Sequence, residues 1–171
     1  MERILEIIHP QYPVAPRAVD QRRAVRGIAL RDTRILLLYT GRYDDFSVPG
    51  GGVTEGEELE AALVREMVEE TGARRVRILA PLGRIDESRP HRGSFDAMHM
   101  QSFVYRCEVE GELGETAMES YEIANAMRPE WVELADAIAH NRKVLERAHH
   151  SMGTSVFRET RLLEWIAGNL C

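Results

Sequence analysis

The sequence predicts an α/β (α+β) sandwich with a mixed β-sheet, and three observations predict it. Short apolar runs bounded by turn residues occupy 24–39 and recur over 76–109, one highly charged helix lies between them, and two amphipathic helices follow. Taken in order, residues 9–18, HPQYPVAPRA, read as an extended lead-in because three prolines interrupt them. AVRGIAL, from Ala24, reads as a strand with Val25, Gly27 and Ala29 on one face. RDTR turns the chain, and ILLLY completes a β-hairpin.

Residues 40–52, TGRYDDFSVPGGG, hold four glycines and a proline and predict a loop with a short extended piece over 46–48. A helix begins at Glu57 or Glu58, where glutamates favour the positive end of the helix dipole, and Gly72 is placed to close it as the C′ residue. Ala61, Val64 and Val68 are the stripe expected to face the sheet. VRILAPLGRID is extended, SRPHRGSFDA is a loop, and HMQSFVYRCEVEGEL alternates as a half-buried strand with Phe103, Tyr105, Cys107 and Val109 on the apolar face. PEWVEL is a shorter strand. ADAIAHNRKVLERAHH and SVFRETRLLEWIAGNL are helices, the second with Val156, Leu163, Ala167 and Leu170 on one side.

A chain of 171 residues fits one domain over 1–171, with a core over about 20–148 and a further helix over about 154–170. The net charge of -6 excludes a broad basic surface for long nucleic acid, although a few arginines and a cation can still hold a small phosphorylated ligand. The two cysteines, Cys107 and Cys171, have no metal-ligand spacing. No secretory pattern opens the chain and no run reaches the roughly 18 to 20 apolar residues of a membrane span, so the expectation is a cytoplasmic protein with no membrane partner.

The chemistry concentrates in residues 49–73, PGGGVTEGEELEAALVREMVEETGA, which carry seven glutamates. Glu66, Glu69 and Glu70 project from nearly one helix face. Two carboxylates about 5.5 Å apart at an effective dielectric near 20 repel by about 3 kcal/mol, which favours a proton or a counter-cation. Oxygen ligands select hard ions: Mg²⁺, with Mn²⁺ as substitute, sharing its remaining positions with substrate phosphates. The competing reading is a solvated acidic helix face, but such a face has no need of Gly50, Gly51 and Gly52, which admit positive φ and close approach of amides to an anion.

Gly51, Glu57, Arg65-Glu66-Met67, Glu69-Glu70 and Gly72-Ala73 stand at the spacing of the Nudix box, and over about residues 20–148 the order of elements is similar to the family fold. The chain thus resembles a Nudix hydrolase. The resemblance implies hydrolysis of a nucleoside diphosphate linked to a group X, with Glu66, Glu69 and Glu70 as catalytic metal-binding residues and Arg65 orienting one of them. Glu57 and Gly72 support the site. Glu122, or else Glu119, is the later-loop acid that could serve as general base. A proline about 16 residues past the box, here Pro90, is associated in the family with ADP-ribose; a (d)NTP is the other substrate expected. Gly50, Gly51, Arg42, Arg84 and Arg92 are candidate substrate contacts, as is Arg89, because guanidinium forks match phosphate oxygens. Tyr43, Phe46, Tyr121 and Trp131 could stack on a base or pack in the core. The family and the apolar stripe of the last helix imply a homodimer, though that stripe could equally pack on its own domain. The alternative function is a catalytically silent nucleotide-binding module of the same fold.

Overall fold

The computed structural model describes residues 1–91, 93–147 and 155–171. Its elements are β1 (Arg3–Ile8), β2 (Val19–Arg31), β3 (Arg34–Thr40), β4 (Asp45–Ser47), α1 (Leu59–Thr71), β5 (Val76–Pro90), β6 (Ala97–Val109), α2 (Ser120–Ala124), β7 (Met127–Glu133), α3 (Leu134–Arg147) and α4 (Val156–Asn169). The strands form one seven-stranded sheet in the order β1-β5-β6-β2-β3-β4, with β7 on the other edge of β3. It is mixed, since β1 runs parallel to β5 and β2 parallel to β6 while the remaining pairs are antiparallel. β1, from RILEII, was not expected from the sequence, and SRPHRGSFDA, expected as a loop, is partly strand: β5 extends into it as far as Pro90, past the last β1 partner at Ser88, where a residue without an N–H leaves no ladder bond unmade.

Helices cover both faces. Ala62, Leu63 and Met67 of α1 pack on Val25, Ala29, Leu36, Tyr105 and Cys107 from one side. From the other, Leu134, Ala137 and Ile138 of α3 and Leu162, Leu163 and Ile166 of α4 pack on Ile28, Ile35, Leu37, Ile85 and Val104. The expected stripe of α1 is therefore rotated: Ala61 and Val68 are exposed, and the buried arc runs through Ala62, Leu63, Met67 and Glu70. The same double covering explains why β6 is not simply half-buried. Ser102 and Val104, opposite the expected apolar face, are buried while Phe103 is only half-buried, and full exposure appears only at Arg106 and Glu108.

On α4 the buried face comprises Val156, Arg158, Glu159, Thr160, Leu162, Leu163 and Ile166, while Ala167 is exposed. This face packs on α3, β1 and β4 of the same molecule, so Val156 and Leu163 of the stripe that suggested a homodimer are spent within the chain. Phe46 is a core residue against Tyr39 and His140, and Trp131 packs on the α1-side core under the guanidinium of Arg31, which lies 4.2 Å from the ring centre. Phe46 is thereby a core ring, and one face of Trp131 is taken by Arg31.

The sheet forks at the end that carries the chemistry. β2 and β3 pair only at Leu30 with Ile35 and Arg31 with Arg34. β4 then pairs with β3, and the chain after it crosses to β2: Gly27 N donates to Pro49 O (2.9 Å), Val25 N to Gly51 O (3.0 Å) and Val53 N to Arg23 O (3.0 Å). The glycine segment thus fills the fork as a strand surrogate.

α1 ends where expected. Gly72 has φ 68, its N–H donates to Val68 O at 3.0 Å, and its carbonyl accepts Gly114 N–H at 2.8 Å. A side chain there would be strained and would strike the Gly114 carbonyl. Gly168, late in α4, has open space around it. Urea denaturation should therefore show Gly72→Ala lowering stability by about 2 kcal/mol or more, and Gly168→Ala raising it by up to about 1 kcal/mol. Equal effects of one sign would contradict the Gly72 contact.

Candidate active site

Close packing of helix on sheet brings the box residues together. At Gly27 a Cβ would overlap the Met67 thioether, so α1 lies nearly on the β2 backbone. The carboxylates that follow Arg65 then reach the glycine segment. A Cβ on Gly51 would stand 2.5 Å from the Glu66 carboxyl carbon, which makes glycine a condition for that side chain's position. Gly50, at φ 133 with its Cα against the Val25 carbonyl, donates its N–H to Glu70 Oε2 at 2.6 Å.

Arg65 is the cation of the cluster. Its Nε and Nη2 donate to the two Glu57 oxygens at 2.9 and 3.1 Å, Nη1 donates to Glu66 at 2.8 Å and to Glu69 at 3.3 Å, and Nη2 also reaches Gly52 O at 3.2 Å. Glu57 in turn accepts the Thr54 N–H and hydroxyl. Arg65 and Thr54 together hold the Glu57 carboxyl down at about 2, and Glu57 above all raises Arg65. Glu57 thereby ties the loop to the helix, as the arginine does from its other side.

Glu70 has no such cation. Burial pushes its carboxyl up to about 8, with Glu122 and Glu66 adding to the rise and the Gly50 N–H and Arg26 opposing it. Glu66 is raised as well, by burial first and against the pull of Arg65. Glu122 sits in the first turn of α2, where its carboxylate accepts the Glu119 N–H at 2.7 Å and the Tyr121 hydroxyl at 2.9 Å. The segment before α2 is tied to α1 by Ala117 N donating to Glu69 O at 2.8 Å.

Glu70, Glu122, Gly50, Tyr43, Tyr121 and Arg26 line one hollow of about 220 Å³. A larger hollow of about 330 Å³ at the far end of β5, lined by His9, Arg22, Arg89 and His91 among others, contains none of these carboxylates. The acids, not hollow size, locate the site.

Other expected contacts divide. Arg42 reaches the rim, where Nη1 donates to Asn125 Oδ1 at 3.2 Å beside Tyr43. Arg84 spends its fork on Asp86, at 2.8 and 2.9 Å, away from the hollow. Arg92 lies outside the described residues. Four charged residues at or behind the hollow were missed: Arg26, Asp45, Arg158 and Glu159. Asp45 is pushed up to about 6 by burial and by Glu159. Their only sequence signal is a charge opposite Val25, Gly27 and Ala29 in AVRGIAL, one in TGRYDDFSV and a pair inside SVFRET.

Among the described residues no three carboxylate, imidazole or thiol groups already converge as a cation cage. The donor chemistry nevertheless fits a hard divalent ion: Glu66, Glu69 and Glu70 offer oxygens alone, Gly51 leaves room for Glu66, and the raised Glu66 and Glu70 mark a deficit of positive charge.

The family model for the NUDIX domain matches residues 20–152. No curated protein sequence matches the chain. Among solved structures, a NUDIX hydrolase from Nitrosomonas europaea is similar with a TM-score of 0.61 at 17% identity, over 87% of this chain and 90% of that one. The mutator MutT protein from Bacillus halodurans gives 0.53 at 20% identity, over 77% and 83%. A UDP-X diphosphatase gives 0.51 at 18%, over 84% and 70%. At such identities the likeness is one of fold.

A carboxyl raised on folding stabilises fully below its unfolded pKa, and the contribution is lost as the pH rises through the folded value, here about 8. Without metal, Glu70→Gln should therefore raise the thermal midpoint by about 5 °C or more at pH 9 and leave it nearly unchanged near pH 5. A midpoint lowered at pH 9 would show that Glu70 is not held at that electrostatic cost.

Proposed function

Since the chain belongs to the Nudix family, we propose that it is a divalent-metal-dependent hydrolase of small nucleoside di- or triphosphate derivatives, cleaving NDP-X to NMP and phosphorylated X. The observation that carries this reading is the arrangement of Glu66 and Glu70 against the glycine segment, with Glu122 lining the same hollow as Glu70. Glu66, Glu69 and Glu70 would hold Mg²⁺, or Mn²⁺ in its place. When bound, the ion neutralises diphosphate oxygens and makes phosphorus accessible to water.

The protein's own groups supply the remainder. Glu122 is fixed by two donated hydrogen bonds and keeps lone pairs free, so it can accept a proton from the attacking water. The water oxygen bonds to phosphorus, the bridging P–O bond breaks, and the leaving phosphate takes the electron pair. Arg65 holds Glu66 and Glu69 in place by ion pairs, a role that does not require it to touch substrate. Tyr43 and Tyr121 frame the hollow and offer faces to a base, while Arg42 at the rim offers a fork to a phosphate. ADP-ribose, on the spacing of Pro90, and the (d)NTPs are the substrates favoured, in a cytoplasmic protein. Nothing in this reading needs a second copy of the chain.

The test is a panel of nucleoside triphosphates, ADP-ribose and dinucleoside polyphosphates, incubated with the protein and Mg²⁺ or Mn²⁺ and analysed for products. At least one should be cleaved to a nucleoside monophosphate, and Glu69→Gln should lower kcat by about 100-fold or more. Binding without cleavage across the panel would favour the silent nucleotide-binding module, and unchanged turnover in Glu69→Gln would show the site to be elsewhere.

A further inference from the structure

Four charged side chains are sealed between the sheet and α4. Arg26 of β2, Glu87 of β5, and Arg158 and Glu159 of α4 are all less than a tenth exposed. Arg158 donates from Nη1 to Glu87 Oε2 at 2.6 Å and from Nε and Nη2 to Glu159 Oε1 at 3.0 and 2.6 Å. Glu159 uses its other oxygen to accept the Val48 N–H at 3.0 Å. Arg26 lies next in line: Nη1 donates to Val25 O at 3.0 Å and to Gly50 O at 2.5 Å, while Nε, 4.0 Å from Glu159, makes no hydrogen bond.

Desolvating four charges is costly, and apolar side chains of similar volume would hold α4 on the sheet at less expense in stability. What apolar groups could not do is grip a backbone. Glu159 takes the N–H of Val48 and Arg26 takes the carbonyl of Gly50, so both ends of a three-residue stretch are fixed from the α4 side. The N–H of the same Gly50 is the group that holds Glu70. Two hydrogen bonds joined by the backbone of residues 48–50 therefore link α4, outside residues 20–152, to a box glutamate.

We infer that Glu159, acting with Arg26, is a positioning residue for Glu70: the C-terminal helix sets the Gly50 amide and through it the carboxylate that faces the cation. The inference rests on the reading of Glu70 as a metal-holding group. Glu159 itself touches neither substrate nor metal. Its side chain is 1% exposed and its oxygens are occupied by Arg158 and Val48.

The experiment is a double-mutant cycle in the full chain, with binding of Mn²⁺ alone followed by the electron paramagnetic resonance signal of the free ion. Glu159→Leu should weaken Mn²⁺ binding by about tenfold and Glu70→Gln by at least as much. The double variant should bind no more weakly than Glu70→Gln within about twofold, because Glu159 acts through Glu70. Multiplying losses would reduce Glu159 to a charge felt at a distance and overturn the inference, as would an unchanged affinity in Glu159→Leu with a folded protein. If Glu159→Leu does not fold, Arg26→Lys keeps the charge but not the fork, and the same non-multiplying pattern is expected. Failure of the wild type to bind Mn²⁺, or wild-type affinity in Glu70→Gln, would instead remove the metal reading beneath it.

Discussion

The backbone of β2 between Arg23 and Gly27 has lost its hairpin partner, because β2 and β3 separate after two residue pairs. Its amides and carbonyls must still be satisfied, since a strand covered on both faces by helices has no water to turn to. Pro49, Gly51 and Val53 supply those bonds. Most of the site follows from this substitution of a loop for a strand. The segment has to lie flush against β2 and under α1, which excludes side chains at Gly50 and Gly51. Once it does so, its remaining Gly50 N–H points at Glu70, and Glu66 rests against Gly51.

Electrostatics then separates the acids into two groups. Arg65 serves Glu57, Glu66 and Glu69 on the outer side of the helix. Glu70 faces inward with one amide bond and a distant arginine, and the neighbouring Glu66 and Glu122 make its ionisation still harder. A protein that buries a carboxylate without its own cation leaves a demand that a proton or a divalent ion can meet.

The sequence showed these features unequally, for physical reasons. The hairpin, the box helix with its Gly72 stop, the β6 strand and the final two helices were legible because each depends on local periodicity or on one residue's backbone preference. The rotation of α1 was not: Ala61 and Val68 are apolar, yet the buried arc is set by how closely Met67 approaches Gly27, a tertiary fact. β1 was hidden behind prolines in a short segment whose partner lies some eighty residues on. Arg26 was not singled out because alternation along one strand cannot reveal that α4 covers its second face. The family spacing gave Glu57 a supporting role without naming Arg65 as its partner, and Arg84 shows that an arginine near a site is readily claimed by a carboxylate two residues away.

The central claim is that the carboxylates of α1 form a divalent-cation site, and thermal denaturation under Mg²⁺ titration tests it most directly. Binding to the folded state alone raises the midpoint progressively with ion concentration. The wild type should show that rise at pH 8, and the triple variant Glu66→Gln, Glu69→Gln, Glu70→Gln should start from a midpoint no lower and then stay flat. A wild-type midpoint indifferent to Mg²⁺, or the same rise in the triple variant, would contradict the claim.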